Sequence, residues 1–351
     1  MLVWTHLAYP LSARAFARLA GRGVERDDSY QPTATVIVTA YNEEAVIERR
    51  IADLEALDYP RDRLELVVTS DASSDRTETL AEAAGARVIR NPRGGKVAAQ
   101  NSAVRQTSSE ILAFSDANST WAPDALRKLL RNFADPDVAY VCGRLNIQNE
   151  DGRNKEGVYW RYELALRADE SRLDSVTGGN GSIYAVRRED YVEVDPRFGH
   201  DLSLPYLMVQ RGRRAVYEPE ALAFEKPTPT NETEYRRKVR MFEHCWEIVL
   251  RGKMLRRQPL GYALELVSHR HLRYASGLLH LVLLGTNIAL VGAGWIYDVV
   301  FVAQGLLLVA AGLGVGIARY YVLVTWATVV ALWNYLRRGV PATWAAPEGT
   351  R

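Results

Sequence analysis

Short apolar runs alternate with stretches of helical periodicity through the first part of this chain. "ATVIVTA" at 34–40 and "LELVVTS" at 64–70 are rich in valine and bounded by polar turns, as strands are. Between them, "EEAVIERRIADLEAL" spaces its apolar residues along one face of a helix. "SSDRTETLAEAAG" predicts a second helix, with Asp75 as N-cap, Glu78 three residues on and Gly85 at its end. A strand "ARVIR", a helix "KVAAQNSAVRQ" and a strand "ILAFS" follow, and Pro123 suits the first turn of the helix "PDALRKLLRNF". Such alternation builds an α/β fold, a mostly parallel sheet covered by helices on both faces. After Val138 the pattern loosens into a strand "VAYVCG", a helix around 158–172, a glycine-rich turn and "SIYAVRR".

The last third reads differently. From Tyr274 to Leu336 the only Asp, Glu, Lys or Arg residues are Asp298 and Arg319. They divide the stretch into 274–297, 299–318 and 320–336. The first two runs are long enough to cross a bilayer and the third is marginal. This predicts a membrane part of two or three transmembrane helices, with Asp298 either an ionised group within the membrane stretch that hints at function or, the favoured reading, in a short loop between spans. Arg270 and Arg273 before the first run and Arg319 after the second place their ends, and the soluble body, on the cytoplasmic side. The amino end pairs an apolar start with Arg14, Arg18 and Arg22 and lacks a cleavage pattern. It is expected to be a short membrane anchor or an interfacial helix. The organisation expected is an N-terminal helix in 1–30, a soluble domain in 31–235, basic interfacial helices in 236–273, membrane helices in 274–338 and a tail in 339–351.

Composition narrows the function. A formal charge of +2 over 351 residues gives no reason to expect nucleic acid. Cys142 and Cys245 form neither a metal-ligand spacing nor a disulfide framework, which suits a reducing compartment. The first strand runs into "AYNEEAVI" with no glycine, so the turn that cradles a dinucleotide is missing, and a P-loop is missing as well. A nucleotide in this fold would be held by carboxylates, and hydride transfer is not expected.

Asp71 ends the second strand and Asp116 a later one, and parallel strands bring such tips to one edge, where ligands settle. A carboxylate there can accept an imide N–H or a ribose hydroxyl. Asp116 and Asn118 are spaced to reach one magnesium or manganese ion on a diphosphate. The plainer alternatives are an Asx-turn for Asp71 and a turn cap for Asn118. Asp201 opens a helical stretch after a glycine; it is either a base for a sugar hydroxyl or the helix N-cap. "GGNGS" at 178–182 lets backbone approach a ligand or is a plain connection. Arg236, Arg237, Lys238 and Arg240 meet anionic lipid headgroups, or Arg240 pairs with a diphosphate and stabilises it as it departs.

Together these pieces resemble the family 2 glycosyltransferases of GT-A fold, a Rossmann-like α/β fold, and within them the membrane-anchored cellulose- and hyaluronan-synthase-like branch. The resemblance runs over about residues 33–246 and rests on five ordered stretches: "VTAYNEE", "TSDASSDRT", "RGGKVAAQNSAV", "SDANS" and "GHDLSLPYLMVQRGRRAVYEPEA". It implies that Ala40, Tyr41 and Glu43 line the uracil pocket, that Asp71 recognises the base and that Lys96 lies near the nucleotide. It implies that Asp116 and Asn118 stand in the Asp-x-Asp position for Mg2+ or Mn2+, with an amide replacing the second acid. Asp201 matches the catalytic base, preceded by His200 where relatives carry an acid. Arg240 matches the arginine of Gln-x-x-Arg-Trp, with Arg237 for the glutamine and Met241 for the tryptophan.

The activity so implied is an inverting transfer of a sugar from a UDP-sugar to a hydroxyl of a growing glycan, giving a β-glycosidic bond. It would be carried out at the cell membrane by a multi-pass protein among membrane lipids, with a possible export partner. Three rivals are single transfer to a polyprenyl phosphate or other lipid, nucleotidyl transfer, and a catalytically degenerate membrane scaffold.

Overall fold

A computed structural model describes residues 1–147, 157–227 and 231–343. Part of the tail expected in 339–351 lies outside the described residues. Eight strands form one sheet in the order β3-β2-β1-β4-β7-β6-β8-β5. Strands β1 (Ala34–Ala40), β2 (Leu64–Asp71), β3 (Arg87–Asn91) and β4 (Ile111–Asp116) make its parallel half. In the other half β7 (Tyr184–Arg187) pairs antiparallel with β4 and with β6 (Val138–Ile147). There β6 runs parallel to β8 (Arg214–Glu225), and β5 (Thr120–Trp121) closes that edge antiparallel to β8.

Helices α1 (Tyr9–Ala20), α2 (Ile47–Glu55), α3 (Thr77–Ala83), α4 (Lys96–Arg105), α5 (Ala125–Leu130), α6 (Val158–Leu173) and α7 (His200–Gln210) accompany the sheet. Two apolar clusters fill its two faces, one around Val36, Ile47, Leu126 and Val141, the other around Ile37, Phe114, Tyr140 and Tyr184. Alternate residues of one strand therefore serve opposite cores, which is why these strands read as continuous apolar runs. The start of α3 departs slightly from expectation: Asp75 accepts from Thr77 N at 3.0 Å, while Glu78 reaches Arg90 rather than closing a capping box.

The boundary expected after residue 235 falls inside one continuous helix, α8 (Asn231–Arg251). After it come α9 (Leu260–Glu265), α10 (Leu272–Tyr274) and three apolar helices, α11 (Ser276–Ala289), α12 (Trp295–Gly312) and α13 (Gly316–Arg338). The first apolar run is shorter as a helix than expected. Gly292, with φ of 78°, and Gly294 break it, and 14 residues reach only about 21 Å. The marginal third run instead forms a 23-residue helix. By length and composition α12 and α13 can each cross a bilayer, and α12 is not buried at all. Asp298 lies in the first turn of α12, not in a loop, and its carboxylate accepts Gly292 N at 2.8 Å, holding the turn before it.

One face of α13 is anchored to the body. Ala327, Ala331 and Tyr335 pack with Phe242 and Trp246 of α8, and the Trp246 indole donates to Thr328 O at 3.0 Å. Arg270 and Arg273 are held by the body too: Arg270 donates to Thr177 Oγ1, and Arg273 pairs with Glu163 of α6. At the amino end α1 buries Tyr9 and Ala13 against Leu166 and exposes Leu7 before it and Leu11, Phe16 and Leu19 along it.

Candidate active site

The carboxyl ends of β1, β2 and β4 open on one edge, with α7 and the end of β8 closing over it. At the tip of β1, Ala40 is buried and Asn42 takes φ of 55° to turn the chain. Asn42 and Glu43 are tied to the loop after β2: Asn42 Oδ1 accepts Ser74 N at 2.8 Å, and Glu43 N donates to Thr77 Oγ1 at 2.7 Å. Tyr41 lies under the Arg93 guanidinium, which stands 3.4 Å from its ring centre.

Asp71 is 2 % exposed and makes no Asx-turn; Ser70 Oγ holds that loop instead by accepting Ser73 N. The Asp71 carboxylate accepts Gly94 N at 2.7 Å and Gly95 N at 3.0 Å and pairs with Arg93. It thereby pins the turn that starts α4. Gly95 caps that helix with φ of 91°, and a Cβ there would lie 2.0 Å from Ala342 O, so the segment after α13 reaches this turn.

Lys96 follows, and its ammonium pairs with Asp116. Burial pulls the Lys96 pKa down, but Asp116, Asp201 and Glu225 outweigh it and hold it above the ordinary lysine value. Lys96 is thus ion-paired with Asp116 and feels the charge of Asp201 and Glu225. Gly181 completes this wall: a Cβ there would stand 3.2 Å from Lys96 Nζ and 3.7 Å from Asp116 Oδ2. Glu225 ends β8 as Asp116 ends β4, and accepts a hydrogen bond from Ser182 Oγ. Burial, followed by the charge of Asp116, lifts its carboxyl to about 7 against the pull of Ser182, Lys96 and Arg237.

Asp201 sits in the first turn of α7, whose N-cap is Gly199, so its carboxylate is not spent on capping. Its carbonyl accepts Gly179 N at 2.7 Å, which ties the glycine-rich turn to the same place. His200 faces the other way. Its ring nitrogens meet Tyr184 OH at 2.9 Å and Tyr191 OH at 3.3 Å beside Phe114. Burial, then Lys96, push its pKa down to about 3, so it is a neutral core residue.

Asn118 lies two residues beyond Asp116 in the turn before β5. Among the described residues no three His, Cys, Asp or Glu groups converge tightly enough to hold a metal ion by themselves. The donor set nevertheless suits magnesium or manganese bound chiefly to a diphosphate, since such ions take one or two protein oxygens and keep substrate and water oxygens.

Two of the arginines of α8, Arg237 and Arg240, part company. Arg237 pairs with Glu234 at 2.8 Å, and its charge also acts on Glu225. Arg240 instead lines a cavity with Glu243, His244 and Arg338. Met241 is 38 % exposed, and Trp246 is buried against α13, outside the cluster. Sequence reasoning missed Arg93, Ser182 and Glu225. For Glu225 a signal existed, an acid closing an apolar strand; for Arg93 and Ser182 there was none beyond adjacency to glycines.

Residues 35–194, which carry Tyr41, Asp71, Lys96 and Asp116, match the family described as Glycosyl transferase family 2. This segment is a family 2 glycosyltransferase domain. A β-monoglucosyldiacylglycerol synthase of Synechocystis is 33 % identical over 43 % of this chain and 33 % of its own length. An N-acetylglucosaminyltransferase of Rhizobium meliloti is 29 % identical over 54 % of this chain and 50 % of its own. The chain thus spans a third to a half of the length of these relatives. Among solved structures, a mannosyltransferase of Pyrobaculum calidifontis, in complex with GDP-Man and Mn2+, superposes with a TM-score of 0.75 at 24 % identity. It covers 95 % of this chain and 96 % of that one, and establishes the likeness of fold. The glycosyltransferase domain is accordingly GT-A-like, an α/β body around a mostly parallel sheet.

Proposed function

We propose that this chain is an inverting, membrane-bound hexosyltransferase that moves a sugar from a UDP-sugar to a hydroxyl of a growing glycan, forming a β-glycosidic bond. The observation that carries the reading is the Lys96–Asp116 ion pair at the edge where Asp71 ends its strand, with Gly181 against it and Glu225 held next door by Ser182.

In this reading Tyr41, with Ala40 and Glu43 beside it, receives the base, and Asp71 orders the Arg93–Gly95 turn against it. The acceptor hydroxyl loses its proton to Asp201 and attacks the anomeric carbon opposite the nucleotide. The C–O bond to the diphosphate breaks, its electron pair leaves with UDP, and the anomeric centre inverts. Lys96 and Arg237 offset the charge growing on the departing diphosphate. Asp116 and Asn118 would hold a magnesium or manganese ion, whose charge would add to theirs. The apolar helices α12 and α13 would place this chemistry at the cytoplasmic face of the cell membrane.

A second reading has the same centre place one sugar on a lipid. Two observations favour it: the Synechocystis relative is a glucosyldiacylglycerol synthase, and Met241 stands where chain-extending relatives carry tryptophan.

The test incubates full-length protein in nanodiscs with UDP-sugars, GDP-mannose and magnesium or manganese, with a chelated control. It follows nucleoside diphosphate release and sizes the labelled product. UDP release with a ladder of products supports the glycan reading, and a single-sugar lipid product supports the second. No release with any donor overturns both.

A further inference from the structure

Pro205 stands inside α7, four residues after Asp201. In an uninterrupted helix the N–H of residue 205 would bond the Asp201 carbonyl. Proline has no N–H, and its ring crowds that carbonyl. The helix that carries Asp201 therefore leaves this carbonyl without a partner of its own. Gly179 N takes the place of the missing donor and bonds Asp201 O at 2.7 Å. Where Asp201 stands thus depends on a turn between α6 and β7.

That turn is held along its length. Tyr262 OH donates to Val176 O at 2.9 Å, and Arg167 Nη2 donates to Gly179 O at 3.1 Å. A Cβ on Gly179 would lie 2.1 Å from the hydroxyl of fully buried Tyr140, which leaves room for glycine alone. Between Val176 and the glycines is Thr177, fully buried, as is Glu170 of α6. The Thr177 hydroxyl donates to Glu170 Oε2 at 2.9 Å and accepts from Arg270 Nε at 2.9 Å. Glu170 Oε2 also accepts Thr177 N at 3.3 Å. The other oxygen of Glu170 accepts Tyr9 OH of α1 at 2.8 Å and meets His269 Nδ1 at 2.6 Å.

We propose that Thr177 is a positioning residue for the transfer: its buried hydroxyl fixes the glycine turn, and the turn fixes the start of α7 through the carbonyl that Pro205 leaves open. The inference rests on the reading of Asp201 as the base. Thr177 acts through Gly179 and the Asp201 backbone, so it sets where the carboxylate stands and not its charge. Rate falls steeply when such a group is displaced, because the proton must lie within hydrogen-bond reach. Through Tyr9 and Glu170 the amino-terminal helix belongs to the same anchor.

The experiment compares Thr177→Val, which keeps the shape and removes the hydroxyl, with Thr177→Ser, which keeps the hydroxyl. Full-length protein in nanodiscs is assayed for transfer. Without substrate, it is followed by hydrogen–deuterium exchange of the peptide spanning 176–182. Thr177→Val should lower kcat about tenfold with donor KM kept. It should also speed exchange at Gly179 about tenfold. Thr177→Ser should return both to within about twofold of wild type. If melting shows that Thr177→Val does not fold, Tyr9→Phe loosens Glu170 from the other side. It should move both readouts the same way, about threefold. Unchanged kcat and exchange, a fall in kcat matched by lost UDP binding, or a serine that restores nothing would each overturn the proposal. Asp201→Asn, run alongside, separates the two failures. Transfer kept in that variant removes the base, and exchange alone then decides whether Thr177 holds the turn. Transfer lost in it, with Thr177→Val at full rate, removes only the anchor.

Discussion

The guanidinium of Arg93 lies 3.4 Å from the centre of the Tyr41 ring while also pairing with Asp71. A planar cation held on an aromatic face occupies the position where a base would stack on that ring. In the proposed reading a base entering there moves the guanidinium outward and stacks between the two side chains. Arg93→Ala should raise the donor KM roughly tenfold with kcat nearly kept, in line with a cation–π contact of about 1–2 kcal/mol. Arg93→Lys should recover only part of it, because an ammonium is not planar. Initial rates against donor concentration separate the outcomes; a loss confined to kcat would exclude base binding.

Asp201→Asn keeps the shape of the α7 start and removes the base. Transfer should fall at least about a hundredfold while nucleotide binding stays. Isothermal titration with UDP alongside the rate assay checks both. Transfer near the wild-type rate would take Asp201 out of the mechanism.

Glu225 makes stability depend on pH in a defined sense. Its folded pKa, about 7, lies above its ordinary value of 4.5, so the folded state binds the extra proton between these values. Stability from this group is complete below pH about 4.5 and is lost as pH rises through about 7. Glu225→Gln, which still accepts from Ser182, should match wild type at the low end and melt higher above neutral pH. His200 acts oppositely, since its folded pKa near 3 costs stability as pH falls below 6.5. Comparing the two proteins at each pH cancels that contribution. Identical melting profiles would show that Glu225 is not buried with its neighbours as described.

Gly95→Ala tests the contact between the start of α4 and the segment that follows α13. A Cβ would meet Ala342 O at 2.0 Å on a backbone with φ of 91°. Gly212 has φ of 76° and nothing within 4 Å, so Gly212→Ala measures backbone strain alone. We expect Gly212→Ala to cost about 1 kcal/mol and Gly95→Ala clearly more, with weaker donor binding only in the latter. Equal melting losses would mean that Ala342 does not press on this turn.

Much of the parallel half of the sheet was legible from local pattern. The runs at 34–40, 64–70 and 111–115 are apolar on both faces because each strand feeds two cores, and the intervening periodicity is that of α2, α3 and α4. The tips of those strands had to share an edge, so Asp71 and Asp116 could be placed together before any coordinates. The membrane-like runs were legible as composition but not as lengths. Gly292 and Gly294 cut the first run short, while the last, docked on Phe242 and Trp246 through Ala327, Ala331 and Tyr335, runs on as one 23-residue helix.

Side-chain direction was not written in the pattern. Spacing along the chain put His200 beside Asp201 and Arg237 near Arg240, yet within each pair the side chains serve different surroundings. A helix turns about 100° per residue, so His200 and Asp201 point apart; Arg237 and Arg240, three residues apart, share a face, and what each meets depends on what packs along the helix. Glu225 and Ser182 joined the centre only through the β6–β8 and β4–β7 pairings, contacts between segments far apart in the chain. Local order thus carried the strands, the helices and the acids at strand tips. Long-range packing chose which of the remaining charges stand together, because burial makes an unmatched charge costly wherever the fold brings it.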